Sequence, residues 1–141
     1  TSIAVCDNKC SPGKWSNQVG LVADSECQLC STGKWSNQVG LVLDTDCQLC
    51  SAGKWSSKTG LTSDNNCTIC SGGKFSSTAG RISESQCKMC DANSFLVDNA
   101  EDAQNHDSPK DCAPCQTGAF SEPGSRYCQE PQQSSSDVPT S

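Results

Sequence analysis

The stretch that decides the fold is CSTGKWSNQVGLVLDTDCQLC, residues 30–50. It holds a glycine three residues after its first cysteine, an aromatic residue five after it, a second glycine, and a closing Cys-x2-Cys pair. The pattern returns with a 20-residue period in residues 10–30, 50–70 and 70–90, and less regularly in two further units. Internal repetition at such a period is typical of a solenoid-like array, in which each unit touches mainly its neighbours.

We divide the chain into six modules, each beginning at the cysteine that precedes an aromatic residue by five. Residues 1–9 are interpreted as the end of a preceding module, and residues 129–141 as a Gln/Ser/Pro-rich tail. The modules are regular repeats 1 to 4 at 10–29, 30–49, 50–69 and 70–89, an irregular repeat 5 with an acidic insertion at 90–114, and a short repeat 6 at 115–128.

The glycines predict two turns in each regular module. The glycine three residues after the cysteine fits a turn that needs positive φ, and the fifth module has Asn93 there, the residue that next best tolerates this conformation. Between the turns there is room only for strands of two to four residues. The predicted fold is therefore small and disulfide-rich, an elongated tandem array of short β-hairpin and turn modules with little regular secondary structure. The turn glycines are Gly13, Gly33, Gly53 and Gly73 for the first turn, and Gly20, Gly40, Gly60 and Gly80 for the second.

Each module has few apolar side chains. Fully burying one of them contributes roughly 1.5–3 kcal/mol, whereas ordering about twenty residues costs on the order of 20–40 kcal/mol of backbone entropy. Cross-links and stacking between modules therefore have to supply the missing stability. The aromatic residues that we predict as module cores are Trp15, Trp35, Trp55, Phe75, Phe95 and Phe120.

The cysteines fit two chemistries, zinc binding and disulfide bonding. The Cys-x2-Cys pairs at 27–30 and 47–50 have the spacing of a four-cysteine zinc site, as do those at 67–70 and 87–90. Zinc tetrads would, however, leave four cysteines in incomplete sets. If each module instead closes on itself, the last module needs one closing cysteine, and Cys128 stands alone. We therefore predict no metal and no cofactor, but the bridges Cys10–Cys27, Cys30–Cys47, Cys50–Cys67, Cys70–Cys87, Cys90–Cys112 and Cys115–Cys128.

This pairing leaves Cys6 over. Its partner is either in an upstream module that this chain lacks, which we favour, or in another subunit. The chain does not begin with Met, and we expect it to be a processed product or a fragment of a longer protein. A redox role for the Cys-x2-Cys pairs is not favoured, because thioredoxin-like enzymes carry one such pair on a βαβ frame.

The unit C-x-x-G-K-W/F-S-x4-G-L-x5-C-x2-C resembles the cysteine-rich repeats of ephrin-receptor-like and tumour-necrosis-factor-receptor-like extracellular proteins. The resemblance covers residues 6–128 and implies one disulfide per module, in agreement with the pairing above. It also implies an elongated ectodomain, stalk, adhesive protein or matrix protein. The chain has no six-cysteine receptor module, so the ligand-binding roles of true receptors are not carried over. Long, nearly identical runs of the unit resemble surface and extracellular-filament proteins of protists and algae more than they resemble animal receptors.

Composition restricts the function further. Thirteen cysteines in 141 residues are typical of a secreted disulfide scaffold. The net charge of −6 and the lack of a basic run argue against nucleic acid or anionic membranes as partners. No stretch approaches the roughly 20 apolar residues of a membrane span, and no catalytic constellation is visible. Repeats 1 and 2 share GKWSNQVGLV unchanged, which suits polymeric packing or multivalent contact.

We therefore predict a non-enzymatic protein that is secreted or exposed on the cell surface. It would be a rod-like structural subunit of a filament, appendage or matrix, with itself or other extracellular proteins as partners. The alternative is a stalk or ligand-binding segment of a cell-surface receptor or adhesion protein.

Several charged positions recur. Lysines follow the first turn glycine, and carboxylates precede the closing cysteines by three. They would form either a lengthwise ladder of ion pairs between modules or chains, or a solvated face of weak pairs, which we favour. Asp24-Ser25-Glu26 and Asp44-Thr45-Asp46 are poor calcium candidates, because no glycine-containing calcium loop is visible.

Three other features are candidate sites. Asn66-Cys67-Thr68 is a sequon for N-glycosylation, which makes Asn66 a possible glycan carrier. His106, the one histidine, is expected to lie in an exposed loop. In the acidic insertion, residues 98–104 are expected to form one or two helical turns capped by Asp98, either as a contact site or, as we favour, as a tolerated surface loop. The tail at 129–141 is expected to be disordered in isolation, or laid along an adjacent subunit as an added strand.

Overall fold

The computed structural model describes residues 10–21 and 23–130. Regular structure in these ranges consists of two-residue strands and three-residue 3-10 helices. The strands are β1 Lys14–Trp15, β2 Gln28–Leu29, β3 Lys34–Trp35, β4 Gln48–Leu49, β5 Lys54–Trp55, β6 Thr68–Ile69, β7 Lys74–Phe75, β8 Lys88–Met89, β9 Ser94–Phe95 and β10 Ala113–Pro114. The 3-10 helices are η1 Asp24–Glu26, η2 Asp44–Asp46, η3 Asp64–Asn66, η4 Glu84–Gln86, η5 Ala103–Asn105 and η6 Pro109–Asp111.

The strands pair as antiparallel hairpins in the order β1–β2, β3–β4, β5–β6, β7–β8 and β9–β10. In the first hairpin Lys14 lies opposite Leu29 and Trp15 lies opposite Gln28, and the next three hairpins repeat this register. The predicted fold class is confirmed: the chain is small and disulfide-rich, with repeated two-strand hairpins and little other regular structure.

Six disulfide bonds close the modules, and they are the pairs expected from the sequence. The first cysteine of each of the first five modules is fully buried, as expected of bridges that take the place of a hydrophobic core. The bonds are Cys10–Cys27, Cys30–Cys47, Cys50–Cys67, Cys70–Cys87, Cys90–Cys112 and Cys115–Cys128.

The predicted turn conformations are present. Both turn glycines of each regular module have positive φ, and Asn93 takes over the role in the fifth module with φ 67°. The second turn of that module places Ala100 at φ 64°, twenty residues after Gly80. A residue with a Cβ atom is strained in this region by about 1–2 kcal/mol. Ala100 is therefore a strained position that the sequence pattern did not indicate.

Ala100→Gly is expected to raise the free energy of unfolding by about 0.5–1 kcal/mol, because relief of the strain outweighs the added chain entropy of glycine. Chemical denaturation of the oxidised protein measures the change. Ala92→Gly is the matched control: Ala92 is also exposed but does not have positive φ, so its replacement should be mildly destabilising. Equal effects of the two substitutions would contradict the strain at Ala100.

Neighbouring modules are joined by backbone hydrogen bonds. The Ser16 N–H donates to the Leu41 carbonyl over 3.0 Å, and the Gly40 N–H donates to the Cys10 carbonyl over 2.8 Å. Because these bonds use main-chain groups, they recur wherever the turns and bridges place the backbone alike. The equivalent bonds in later modules are Ser36 to Leu61, Ser56 to Arg81, Gly60 to Cys30, Gly80 to Cys50 and Gly124 to Cys90.

The array also has contacts between modules that are two apart. A Cβ atom on Gly13, in the first module, would lie 2.5 Å from the carbonyl oxygen of Gly60 in the third. A Cβ on Gly33 would lie 2.7 Å from the carbonyl oxygen of Gly80 in the same way. The expectation that each module touches mainly its neighbours is therefore incomplete, because the second turn of a module reaches past the adjacent one.

The predicted core aromatics differ in burial. Phe75 is buried, whereas the three tryptophans and Phe95 are half-buried. Phe120 is 40% exposed, so its assignment to a module core is wrong. The backbone at Trp15, Trp35 and Trp55 pairs with the following module, but no module follows Phe120 in the described residues. Deeper positions are the first cysteine of each of the first five modules and the residue that follows each aromatic. That residue is Leu96 after Phe95 and a serine elsewhere, of which Ser36 is 2% exposed.

Candidate interaction surface

A carboxylate in each regular module binds the first turn of the same module. Asp44 accepts hydrogen bonds from the Ser31 N–H, the Ser31 hydroxyl and Lys34 Nζ at 2.7–2.9 Å. All four ion pairs of this type join residues within one module, so a ladder between modules is wrong. The favoured solvated face is also wrong in part, since Lys54 is only 8% exposed. The pairs are Lys14–Asp24, Lys34–Asp44, Lys54–Asp64 and Lys74–Glu84.

These networks lower the carboxyl pKa values. The Lys14 ammonium and the Ser11 N–H and hydroxyl lower the pKa of exposed Asp24 to about 2. Burial alone would raise the pKa of Asp44, but the hydrogen bonds from Lys34 and Ser31 outweigh it and leave this pKa below its ordinary value. The pKa of Asp64 is lowered in the same way, because hydrogen bonds from Lys54 and Ser51 outweigh the effect of burial. The pKa of Glu84 is lowered, again against burial, by hydrogen bonds from Ser71 and Trp55.

The lowered pKa values predict acid sensitivity. A carboxyl group whose pKa is lower in the folded than in the unfolded state stabilises the fold above its unfolded pKa, and this contribution is lost as pH falls through the folded pKa. We expect the free energy of unfolding to be flat above about pH 5 and to fall steadily towards about pH 2. Urea titrations of the oxidised protein at pH 7, 5, 4, 3 and 2 test this. An unchanged midpoint at pH 2 would show that the carboxylate networks do not contribute to stability.

A hydrogen bond between modules joins Trp55 to Glu84. The indole Nε1–H donates to Glu84 Oε1 over 2.8 Å, while Glu84 Oε2 accepts from Ser71. The equivalent partner of Trp35, 29 residues on, is Asp64, whose side chain is one methylene shorter. Both Asp64 oxygens accept from groups of its own module, and Trp35 Nε1 is buried without a hydrogen-bond partner. The extra methylene of Glu84 relative to Asp64 thus accounts for the hydrogen bond that Trp55 makes and Trp35 lacks.

Asp64→Glu is expected to raise the free energy of unfolding by about 1 kcal/mol, because an unsatisfied buried donor costs about 1–3 kcal/mol and the longer side chain can reach Trp35. The reverse substitution, Glu84→Asp, should lower it by a similar amount by leaving Trp55 unpaired. Tryptophan-monitored denaturation measures both.

Asp24→Glu is the matched control for these substitutions, because Asp24 has no tryptophan 29 residues before it in this chain. It tests whether lengthening the carboxylate alone has an effect. A gain in Asp24→Glu as large as that in Asp64→Glu would rule out the Trp35 explanation.

The acidic insertion is fixed to the fourth module by His106. The exposed-loop expectation for His106 is wrong: its side chain is 0% exposed. Nδ1 donates to the Lys74 carbonyl oxygen at 2.7 Å, and Nε2 lies 2.9 Å from Asp98 Oδ2. The His106 carbonyl in turn accepts from the Ser76 N–H over 2.8 Å. Because all its polar groups find partners, the ring is buried without an unsatisfied atom.

The helical turns expected over residues 98–104 are wrong in position: residues 98–102 are not helical, and the 3-10 helices lie further on, at η5 Ala103–Asn105 and η6 Pro109–Asp111. The predicted cap is wrong as well. Asp102 caps η5, since its Oδ1 accepts from the Gln104 N–H over 2.9 Å. Asp98 instead accepts the N–H groups of Glu101 and Asp102, besides facing His106. Its pKa is lowered, because these hydrogen bonds outweigh the effect of burial. The insertion is thus an ordered part of the array.

An apolar row, defined as Leu29, Leu49 and Met89, recurs just before the first cysteine of the next module. These side chains are 49%, 51% and 55% exposed. Each side chain also packs against a second-turn glycine two modules further along the chain. A Cβ atom placed on Gly80 would lie 2.9 Å from Leu49 Cδ2, and one placed on Gly124 would lie 2.9 Å from Met89 Sδ. The row therefore combines a structural contact with a repeated exposed surface.

The other predicted sites are placed as follows. Asn66 lies exposed at the end of η3. In the part of the chain that the structure describes, no group of three or more His, Cys, Asp and Glu side chains is arranged to hold a metal. None of the helices there has the length and apolar character of a membrane span. Cys6 and tail residues 131–141 lie outside the described residues.

In comparisons with known proteins, no protein-family model matches the chain and no curated protein sequence matches it. What the structure establishes by itself is a cysteine-rich repeat architecture: tandem disulfide-closed hairpins stacked by main-chain hydrogen bonds. A chain so rich in disulfides is typical of extracellular proteins.

Proposed function

We propose that the chain is a structural subunit of an extracellular filament, appendage or matrix, built from single-disulfide modules of the ephrin-receptor-like and tumour-necrosis-factor-receptor-like type. The observation that supports this proposal is the recurrent stacking through backbone hydrogen bonds, illustrated by Ser16 to Leu41 and Ser36 to Leu61. Such stacking depends little on side chains and presents the same surfaces at each step. A secreted location and partners that are copies of the chain or other extracellular proteins belong to this proposal.

The apolar row supplies a repeated surface for packing. A contact that recurs along a filament needs a surface that recurs along the subunit. The position of Leu49 is apolar in each regular module, whereas that of Leu43 is occupied elsewhere by alanine or serine. Both leucines are about half exposed, at 51% and 48%. They therefore form a matched pair for testing the row.

Sedimentation velocity and negative-stain electron microscopy of the oxidised chain over a range of concentrations test the function. We expect concentration-dependent assemblies, weakened by Leu49→Lys and retained by Leu43→Lys. Lysine keeps an aliphatic stem that still covers Gly80, so the module should remain folded. A chain that stays monomeric at all concentrations would refute the proposal for the isolated subunit. Equal effects of the two substitutions would refute the role of the row.

A second function, the stalk or ligand-binding segment of a surface receptor or adhesion protein, is favoured by the insertion. His106 and Asp98 hold an acidic loop in one ordered conformation, which a recognition surface requires and a tolerated loop does not. A monomeric chain that binds one extracellular protein, and loses binding on Glu101→Lys but not on Glu122→Lys, a second exposed acidic residue outside the insertion, would support this function over the first.

A further inference from the structure

We propose that Asn66 carries an N-linked glycan, attached before the third module closes. Asn66-Cys67-Thr68 is the one Asn-x-Ser/Thr sequon in the chain. In the structure Asn66 and Thr68 are both exposed, while Cys67 between them is 6% exposed and bonded to Cys50. The two residues that define the acceptor are thus at the surface of the folded module.

The structure also shows that the Asn66 side chain is not needed by its turn. In other modules the residue before the closing cysteine accepts a backbone N–H three or four residues earlier: Asp46 at 3.0 Å, Gln86 at 2.7 Å and Asp111 at 3.0–3.1 Å. Within the described residues, Asn66 accepts instead only the Thr62 hydroxyl, at 3.4 Å. The turn of its module is capped by the Ser63 hydroxyl. A glycan on Asn66 therefore removes no backbone hydrogen bond.

The chemistry is a glycosyl transfer from a lipid-pyrophosphate-linked oligosaccharide. The bond between the anomeric carbon of the first sugar and the pyrophosphate breaks, and a bond forms from that carbon to Asn66 Nδ2. The amide loses one proton, and the lipid pyrophosphate leaves with the electron pair. The product keeps a neutral amide, so the net charge of the module does not change.

Closure of the module competes with the transfer. In the folded module the backbone of the sequon is held in secondary structure. The Cys67 N–H donates to the Asp64 carbonyl over 3.1 Å, and Thr68 lies opposite Trp55 in the β5–β6 hairpin. Oxidation of Cys67 with Cys50 fixes this arrangement. Transfer therefore has to occur on the open chain, and the occupancy of Asn66 depends on how fast the bridge forms.

The test uses the full chain translated behind a secretion signal in the presence of endoplasmic-reticulum microsomes. The readout is a mass increase that an N-glycan-cleaving endoglycosidase removes. We expect partial occupancy in the unchanged chain and none in Asn66→Gln or Thr68→Ala. The control Asn65→Gln, at an exposed neighbouring asparagine outside the sequon, should behave as the unchanged chain. Cys50→Ser keeps the sequon but removes the bridge, and should raise occupancy severalfold, as should dithiothreitol during translation.

Three results would overturn the proposal. One is the lack of a removable mass increase in the unchanged chain, whether or not Cys50→Ser acquires one. Another is a mass increase that persists in Asn66→Gln. The third is equal occupancy with and without the bridge, which would overturn the competition. The glycan proposal rests on the secreted location proposed above. None of these readouts depends on assembly, so a failure of the glycan proposal can be distinguished from a failure of the filament proposal.

Discussion

Gly53→Ala is expected to lower the free energy of unfolding by about 3 kcal/mol, the sum of about 1–2 kcal/mol of backbone strain and about 1–3 kcal/mol of steric overlap. Gly53 has φ +86°, a conformation that disfavours a Cβ atom. Its Cβ would also lie 2.6 Å from the Ala103 carbonyl oxygen, where the third module meets the insertion of the fifth. Guanidinium denaturation of the oxidised protein, followed by tryptophan fluorescence, measures the loss.

Gly20→Ala separates the two contributions. Gly20 has a similar φ of +77°, but a Cβ there would meet nothing within 4 Å. Only the strain should then appear, about 1–2 kcal/mol. The difference between the two variants reports the packing of the third module against the fifth. If Gly20→Ala were as destabilising as Gly53→Ala, the close approach at Gly53 would contribute nothing and the stacked arrangement would be in doubt.

The features that depend on spacing along the chain were predictable. A turn of positive φ is set by a glycine at a fixed distance from a cysteine, and the substitution of Asn93 for glycine fits the same steric rule. The bridges followed from the single closing cysteine at the chain end, Cys128. Turns and bridges of this kind are local, since each involves residues of one module.

Contacts between modules were not predictable, because they depend on how one module lies on another. Nothing in the sequence places Gly60 against Gly13, 47 residues away. His106 is predicted in an exposed loop because no Ser or Cys nucleophile is paired with it in the sequence. Its partner in the fourth module, the Lys74 carbonyl, is brought to it only by stacking. A signal was available for the Trp55–Glu84 bond, because a carboxylate lies 29 residues after each of the three tryptophans.

The candidate surface was predictable only in part. The recurrence of lysine and carboxylate showed that the charges pair, but not that Asp44 would bind the first turn of its own module. Asp44 binds this turn because the Ser31 N–H points towards its carboxylate once the turn has formed. The burial of Phe120 could not be predicted from spacing either. Phe120 has the same spacing from a cysteine as the other core aromatics, but burying it would need a further module packed against it.

Removing the central bridge is expected to have the largest effect of all. The double substitution Cys50→Ser with Cys67→Ser opens a loop with a sequence separation of 17 residues, which costs roughly 3 kcal/mol of chain entropy. It also puts hydroxyl groups where Cys50 and Cys67 are 0% and 6% exposed. Unsatisfied buried polar groups add about 1–3 kcal/mol each. We expect loss of the cooperative unfolding transition, with Trp35 and Trp55 solvated, as measured by tryptophan fluorescence and hydrogen exchange.

The comparison is with Cys115→Ser and Cys128→Ser in the last described module. That bridge closes a similar loop, with a separation of 13 residues, but its cysteines are only half-buried. In an array stabilised by contacts between nearby modules, loss of the terminal bridge should unfold only the last module. Loss of the central bridge should instead disrupt the contacts that join the modules on its two sides. The three tryptophans all lie in the first three modules, so their fluorescence transition should survive the terminal lesion. Equal loss of that transition in both variants would mean that the chain unfolds as one indivisible unit rather than as a stacked array.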